Sequence, residues 1–263
     1  MTTENDQALR ADHTAEKPVT ACLIIIGNEI LSGRTKDANL SFLAAALNDA
    51  GIKMSEARVI PDIEATIVAT VNEMRVKYDY VFTTGGIGPT HDDITGPSVA
   101  KAFGVPLVLN EEARARLEAR IKHPLNEARL RMAHVPKGAT LVDNPVSAAP
   151  GFRIGNVFVL AGVPVIAQAM FQSLRPQLVG GARTMSRSIQ CNLPEGAMAK
   201  DLEDIQNVWP QLDIGSYPVW ISQGFAVNLV LRGTVEAQLA RAGDEVVAMI
   251  VRLGGMVLED VYS

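Results

Sequence analysis

The chain has only two cysteines among 263 residues, no apolar run of membrane-spanning length, and no excess of basic charge. Cys22 and Cys191 lie far apart without metal-ligating neighbours. That rules out a disulfide framework as the organising device and points to a reducing compartment. No Cys-x-x-Cys or His-Glu-x-x-His occurs, and no Gly-Lys-Ser/Thr follows the glycine-rich segment near residue 85, which also lacks the third glycine of a dinucleotide fingerprint. The common zinc and nucleotide signatures are therefore missing. With 24 Lys and Arg against 29 Asp and Glu, the net charge is −5. A general nucleic-acid binder would need a basic surface, so no nucleic-acid partner is expected. The stretch Met1–Lys17, which carries His13, is polar and mixed in charge, without the apolar centre of a signal peptide. It reads as a disordered tail of a cytoplasmic protein with no membrane partner.

What is present suffices for two modest domains, since 48% of the residues are hydrophobic and 20% charged. Residues 20–26 form a continuous apolar run ending at Gly27, as expected for a strand covered on both faces of a parallel sheet. After a polar loop over 28–37, Leu40, Leu43 and Leu47 recur at helical spacing, and Gly51 closes that helix. Residues 58–60 read as a short second strand, and Ile63, Ile67, Val71 and Met74 as a second helix leading to the strand at 80–82. Residues 111–122 read as a solvated helix, 156–160 as a further core strand and 166–178 as the helix after it. This alternation predicts a doubly wound, mostly parallel three-layer α/β domain over 18–180. Beyond it, a β-α-β-β-α pattern predicts a small α+β domain over 181–263.

The chemistry concentrates in residues 83–95, Thr-Thr-Gly-Gly-Ile-Gly-Pro-Thr-His-Asp-Asp-Ile-Thr. Gly85, Gly86 and Gly88 let main-chain N–H groups approach a phosphate, and Thr84, Thr90 and Thr95 add hydroxyl donors. Asp92 and Asp93 supply hard oxygen ligands for a divalent cation, or a general base for an attacking water. A plain turn with a helix-capping Asp is the competing reading, with a helix starting near Pro97. In open parallel sheets ligands bind beyond the carboxyl ends of the strands. The loops there bring Glu29, Asp62, Asp92 and Asp93 toward one edge, an arrangement that a bound cation would stabilise.

Other residues carry weaker signals. Ser147, in the loop 143–152, suits a hydroxyl donor rather than a nucleophile, because no acid–base partner stands near it in sequence. His91 reads as a solvated loop residue, and His123 and His134 as surface or lid positions. Trp209 and Trp220 read as core or interface residues. The arginines at 114, 116, 120, 129 and 131 alternate with glutamates and read mainly as a solvated helix face.

Taken together, Gly27-Asn28-Glu29-Ile30-Leu31-Ser32-Gly33, Asp37 and Asn39, residues 83–95, Asn144-Pro145, Ala149-Pro150-Gly151-Phe152 and Gly162-Val163-Pro164 resemble a known family. It is the competence/damage-inducible protein A (CinA) family, whose N-terminal domain is of the molybdopterin-binding, MoaB/Mog-like type. The resemblance covers about 18–178, and Gly215-Ser216-Tyr217-Pro218 extends it into the second domain. It departs at Asn28, Ser147-Ala148 and Ala161, where the family usually has Asp, Gly-Thr and Pro. No deamidase domain of full-length members follows Ser263, so pyridine-nucleotide deamidation is not expected.

The resemblance implies metal-dependent hydrolysis of the pyrophosphate of ADP-ribose or a related dinucleotide. Asp93, Asp92 and Asp62 would be catalytic, and Glu29, Asp92 and Asp93 would hold magnesium, manganese or cobalt. Thr84, Gly85, Gly86, Gly88, Thr90, Thr95, Asn39, Ser147 and Gly162 would bind the ligand. The alternative is a molybdopterin-binding protein of molybdenum-cofactor biosynthesis that does not hydrolyse. Either way the expected partner is a small nucleotide or pterin, and related domains imply a homo-oligomer.

Overall fold

The computed structural model describes residues 18–121, 124–147, 149–222 and 224–263. The tail through Lys17 with His13, and Lys122, His123 and Ala148, lie outside the described residues. These divide into two compact units, Pro18–Gly181 and Ala182–Ser263.

In the first unit, strand β1 (Val19–Ile26) leads through a single helical turn, α1 (Asn28–Leu31), to α2 (Asn39–Asn48) and β2 (Ile52–Ile60). Helix α3 (Glu64–Lys77) and β3 (Tyr80–Thr84) follow, then α4 (Thr95–Ala102), β4 (Leu107–Leu109), α5 (Glu111–Arg120) and α6 (Glu127–Arg131). The unit closes with β5 (His134–Pro136), β6 (Thr140–Val142), β7 (Gly151–Ile154), β8 (Val157–Leu160) and α7 (Pro164–Leu174). The main sheet has the order β2-β1-β3-β8-β7-β6. Its first four strands are parallel, β7 turns back antiparallel to β8, and β6 in turn pairs antiparallel with β7.

The apolar run of β1 follows from its central place. Leu23 and Ile25 pack on one face with Leu43 and Leu47 of α2 and Phe171 of α7. Cys22, Ile24 and Ile26 pack on the other with Ile67, Val71 and Met74 of α3. Each fully buried side chain of this kind stabilises the unit by about 1.5–3 kcal/mol relative to exposure. The carboxyl ends of β2, β1, β3 and β8 therefore open on one edge.

Several expectations need correcting. The second strand spans nine residues instead of three, because it is an edge strand in which Lys53, Ser55, Glu56 and Arg58 break the apolar signal. The loop at 28–37 contains the turn α1, and the three-residue strands β4, β5 and β6 escape any periodicity. The helix expected over 111–122 ends at Arg120, where Arg114 pairs with Glu118 and Arg116 with Glu112, as on a solvated face.

The second unit runs β9 (Met185–Cys191), α8 (Glu195–Val208), β10 (Asp213–Ile221), β11 (Gly224–Gly233), α9 (Glu236–Arg252) and β12 (Val257–Tyr262). Strand β12 was not expected from the pattern. With it the unit is a β-α-β-β-α-β antiparallel sheet in the order β10-β11-β9-β12, a ferredoxin-like arrangement. Trp209 is buried in its core, whereas Trp220 is 84% exposed beside Phe225. Among the described residues no helix is long and apolar enough to cross a membrane.

Candidate functional site

The loop after β3 turns sharply because Gly85 and Gly86 adopt φ of +105° and +65°, backbone that side-chain-bearing residues rarely take. Space forbids a side chain there as well. A Cβ on Gly85 would lie 2.1 Å from the Ile26 carbonyl oxygen, and one on Gly86 2.2 Å from Thr95 Oγ1. The loop after β8 crosses so close that a Cβ on Gly162 would lie 3.2 Å from the Gly85 Cα.

Hydrogen bonds lock this arrangement from behind. The Gly85 N–H donates to the Leu160 carbonyl, and the Thr95 N–H donates to the Gly86 carbonyl. Thr95 Oγ1 donates to the Gly85 carbonyl at 2.9 Å. Among the described residues the N–H groups of Gly86, Ile87 and Gly88 have no acceptor, leaving three consecutive donors for an anion.

A cavity of about 480 Å³ is lined by this loop together with Glu29, Asp93, Asn144, Ser147 and Gly162. Thus Glu29, from the end of β1, and Asp93, from beyond β3, meet in one space as the sequence suggested. Asp93 Oδ2 accepts from the Thr90 N–H at 2.8 Å and from the Thr90 hydroxyl, while Oδ1 has no donor among the described residues. Among the described residues the Glu29 carboxylate also lacks a donor. Both are available to a cation or a water. No side chain lining this cavity is basic.

Other expected site residues take different places. Asp92 does not pair with Asp93: it is exposed, 4.0 Å from His91 Nδ1, and does not line the cavity. Asp62 also lies outside the lining. Its Oδ2 accepts from the Asn28 N–H at 2.9 Å, so it positions the first loop instead of facing a ligand. Thr95 and the Gly85 N–H, read as ligand donors, are spent inside the loop. Thr84 is buried with its hydroxyl unpartnered in the protein. Thr90 supports Asp93. Asn39, 4% exposed, donates from Nδ2 to the Gly162 carbonyl at 2.8 Å and so fixes the third loop.

Ser147 is exposed at the cavity. Its Oγ accepts from Asn144 Nδ2 at 2.6 Å, which leaves its O–H to donate. Asn144 shapes this whole loop, because its Oδ1 also accepts from the N–H groups of Val146 and Ser147.

His134, expected at a surface or lid position, lies at a cavity wall. Strand β5 carries it, half-buried, into a second cavity against the glycine loop, together with Leu107, Met132, Val135 and Phe152. A histidine inside a charged stretch gave no signal of burial. The short β4–β5 pairing that turns it inward is a long-range contact.

Residues 22–179, more than half of the chain, match the family described as "Probable molybdopterin binding domain". The structure of the protein CinA from Thermoplasma acidophilum, described as of unknown function, is 32% identical. It has a TM-score of 0.57, with 61% of this chain and 99% of that chain covered. The chain belongs to the molybdopterin-binding domain family, in its CinA-like branch. A CinA-like protein of Citrifermentans bemidjiense is 38% identical over 166 residues, 60% of this chain and 40% of that longer protein. A protein of Pyrobaculum calidifontis is 35% identical over 76% of this chain and 80% of its own length. In the CinA-like chain the second unit matches the middle domain of FAD synthase over residues 183–253.

Among the described residues no group of three or more His, Cys, Asp or Glu could hold an ion. A magnesium-type ion needs only one or two carboxylates when substrate phosphates and waters complete its shell. Glu29 and Asp93 fit an ion of that kind, brought in with the ligand, and do not fit a preformed all-protein cage.

Proposed function

We propose that this chain hydrolyses the pyrophosphate of ADP-ribose or a related dinucleotide, with a divalent cation, magnesium, manganese or cobalt, releasing AMP. One observation carries the reading: two unpartnered acids and three free main-chain N–H groups share a cavity that has no basic side chain. A pyrophosphate entering this space is balanced only partly by dipoles, and the two acids make a cation necessary. When bound, such an ion neutralises phosphate charge and acidifies a bound water.

The residues divide the remaining work. The N–H groups of Gly86, Ile87 and Gly88 hold phosphate oxygens and the charge that grows on them. Ser147 Oγ donates a further hydrogen bond. Asp93 Oδ1, held in place because Thr90 grips the other oxygen, accepts the proton of the attacking water, which leaves Glu29 as the carboxylate that would hold the ion. Asp62 and Asn39 keep the flanking loops in register.

The test is AMP release from ADP-ribose with and without divalent ions, in wild type and Asp93→Asn. Release should need the ion and drop at least a hundredfold in the variant, as for loss of a general base, while the circular dichroism spectrum stays unchanged. Undiminished turnover in Asp93→Asn or in excess chelator would remove the mechanism.

A second reading is favoured by the family match: the same N–H groups hold the phosphate of molybdopterin without hydrolysing anything. Pterin binding by calorimetry with no dinucleotide turnover selects it. Self-association into a homo-oligomer belongs to the proposal too, and light scattering on the purified chain measures it directly.

A further inference from the structure

Two arginines of α5 reach the loop that carries Ser147 to the cavity. Arg120 Nη2 donates to the Val146 carbonyl at 3.1 Å, and Arg116 Nη1 donates to Asp143 Oδ1 at 3.1 Å. They stand four residues apart and so share one face of the helix. Each follows a fully buried residue by three positions, Ala113 for Arg116 and Leu117 for Arg120. That buried pair packs with Leu141, just before the loop, and with Ala149 inside it, so the helix is a fixed base for both arginines.

The tip of the loop stands out from the protein. Pro145, Val146 and Ser147 are exposed, whereas Asn144 is buried. From the inside, Asn144 Oδ1 accepts from the N–H groups of Val146 and Ser147 at 3.1 and 3.0 Å. From the outside, Arg120 takes the Val146 carbonyl with a charge-assisted hydrogen bond. That carbonyl and the Ser147 N–H are the two ends of one planar peptide group. Arg120 therefore grips the plane at its oxygen while Asn144 grips it at its nitrogen. The tilt of this plane fixes the Ser147 Cα, from which the hydroxyl projects. The Arg116–Asp143 pair, exposed at both ends, adds less.

We propose that Arg120 is a positioning residue for phosphate binding: by fixing the peptide plane before Ser147 it aims the Ser147 hydroxyl into the cavity. It acts through Ser147 and not on the ligand itself. The inference rests on the reading of the glycine loop as a phosphate cradle with Ser147 as an added donor, but it does not depend on turnover.

Calorimetry with inorganic pyrophosphate and magnesium, on the full chain, compares wild type, Arg120→Met, Ser147→Ala and the double variant. Methionine keeps an apolar stem and removes the donors. Ser147→Ala should weaken binding about fivefold and Arg120→Met about threefold, as for one hydrogen bond lost and one misaligned. In the Ser147→Ala background Arg120→Met should change affinity by less than about 1.5-fold, because the hydroxyl it aims is gone. Arg114→Met is the control, since Arg114 pairs with Glu111 and Glu118 of its own helix, and it should leave affinity unchanged.

Hydrogen exchange reads the same latch without a ligand. The Val146 and Ser147 amides should exchange about fivefold faster in Arg120→Met than in wild type. An equal effect of Arg120→Met on affinity in both backgrounds, which a general loosening of the fold would give, overturns the proposal, and so do unchanged exchange rates. A wild type without affinity for pyrophosphate strikes the cradle instead, so the two failures are told apart.

Discussion

The carboxylate of Asp62 accepts a hydrogen bond from the main-chain N–H of Asn28 at 2.9 Å, tying the loop after the second strand to the loop after the first. Glu29 stands on the clamped segment, one residue on. A carboxylate that looks catalytic in sequence thus works through its neighbour.

Replacing Asp62 with Ala removes about 0.5–1.5 kcal/mol of net hydrogen bonding and frees the first loop. The expected result is a small fall in melting temperature and a raised KM, with kcat reduced less. Asp62→Asn keeps an acceptor oxygen and should restore most of the affinity. A variant with kcat abolished and KM unchanged would instead put Asp62 at the reacting atoms.

Gly86→Ala forces a side chain into a left-handed backbone and places its Cβ 2.2 Å from Thr95 Oγ1, which is itself bonded to the loop. Backbone strain of about 1–3 kcal/mol is expected, with loss of phosphate binding. Gly33→Ala is the control. Its φ is +71°, but a Cβ there meets nothing within 4 Å, so it should lower stability slightly and leave binding intact. Thermal melts and pyrophosphate titration on both variants check this.

Arg187, on β9, is buried and donates to Asp260 at 2.9 and 2.8 Å, to Asp244 at 2.9 Å and to the Ala240 carbonyl at 2.7 Å. It thereby holds strand β12 and helix α9 to the sheet of the second unit. Arg187→Met should cost that unit about 1.5–3 kcal/mol, allowing for the partial exposure of its acidic partners. Urea unfolding followed by Trp209 fluorescence reads this, because Trp209 lies in the core of the same unit.

Glu56 ties the edge strand β2 to the end of α3. Lys77, Tyr78 and Arg58 all donate to it, holding its carboxyl at about 2 against an ordinary 4.5. A depressed folded-state value means the contribution is fully present above about pH 4.5 and lost as pH falls toward 2. In Glu56→Gln that acid-dependent step should vanish, flattening the stability profile between those limits. Melting temperatures taken at half-unit pH steps measure it. An unchanged profile would mean that another carboxylate carries the transition.

Some of this was legible along the chain and some was not. The buried strand at 20–26 and the strand at 80–82 stand out because both faces are covered, so beyond Thr20 and the Tyr80 hydroxyl the side chains are apolar. Strand β2 was read three residues long because one of its faces meets solvent. The short pairing of β4 with β5 leaves no local period, and His134 looked like one more polar residue in a charged segment. Asp92 and Asp93 are neighbours with similar chemistry in sequence. Which of them turns inward follows from the loop geometry in which the Thr90 N–H and hydroxyl donate to Asp93.

By itself the sequence determined the layered α/β architecture and the position of the glycine turn, because apolar periodicity and positive-φ glycine are local properties of the chain. Only the tertiary structure decided that Glu29 and Asp93 share a cavity, that Asp62 and Thr95 support the loops from behind, and that His134 faces a second cavity. Those outcomes depend on strand order and on contacts between segments tens of residues apart, which no local pattern encodes.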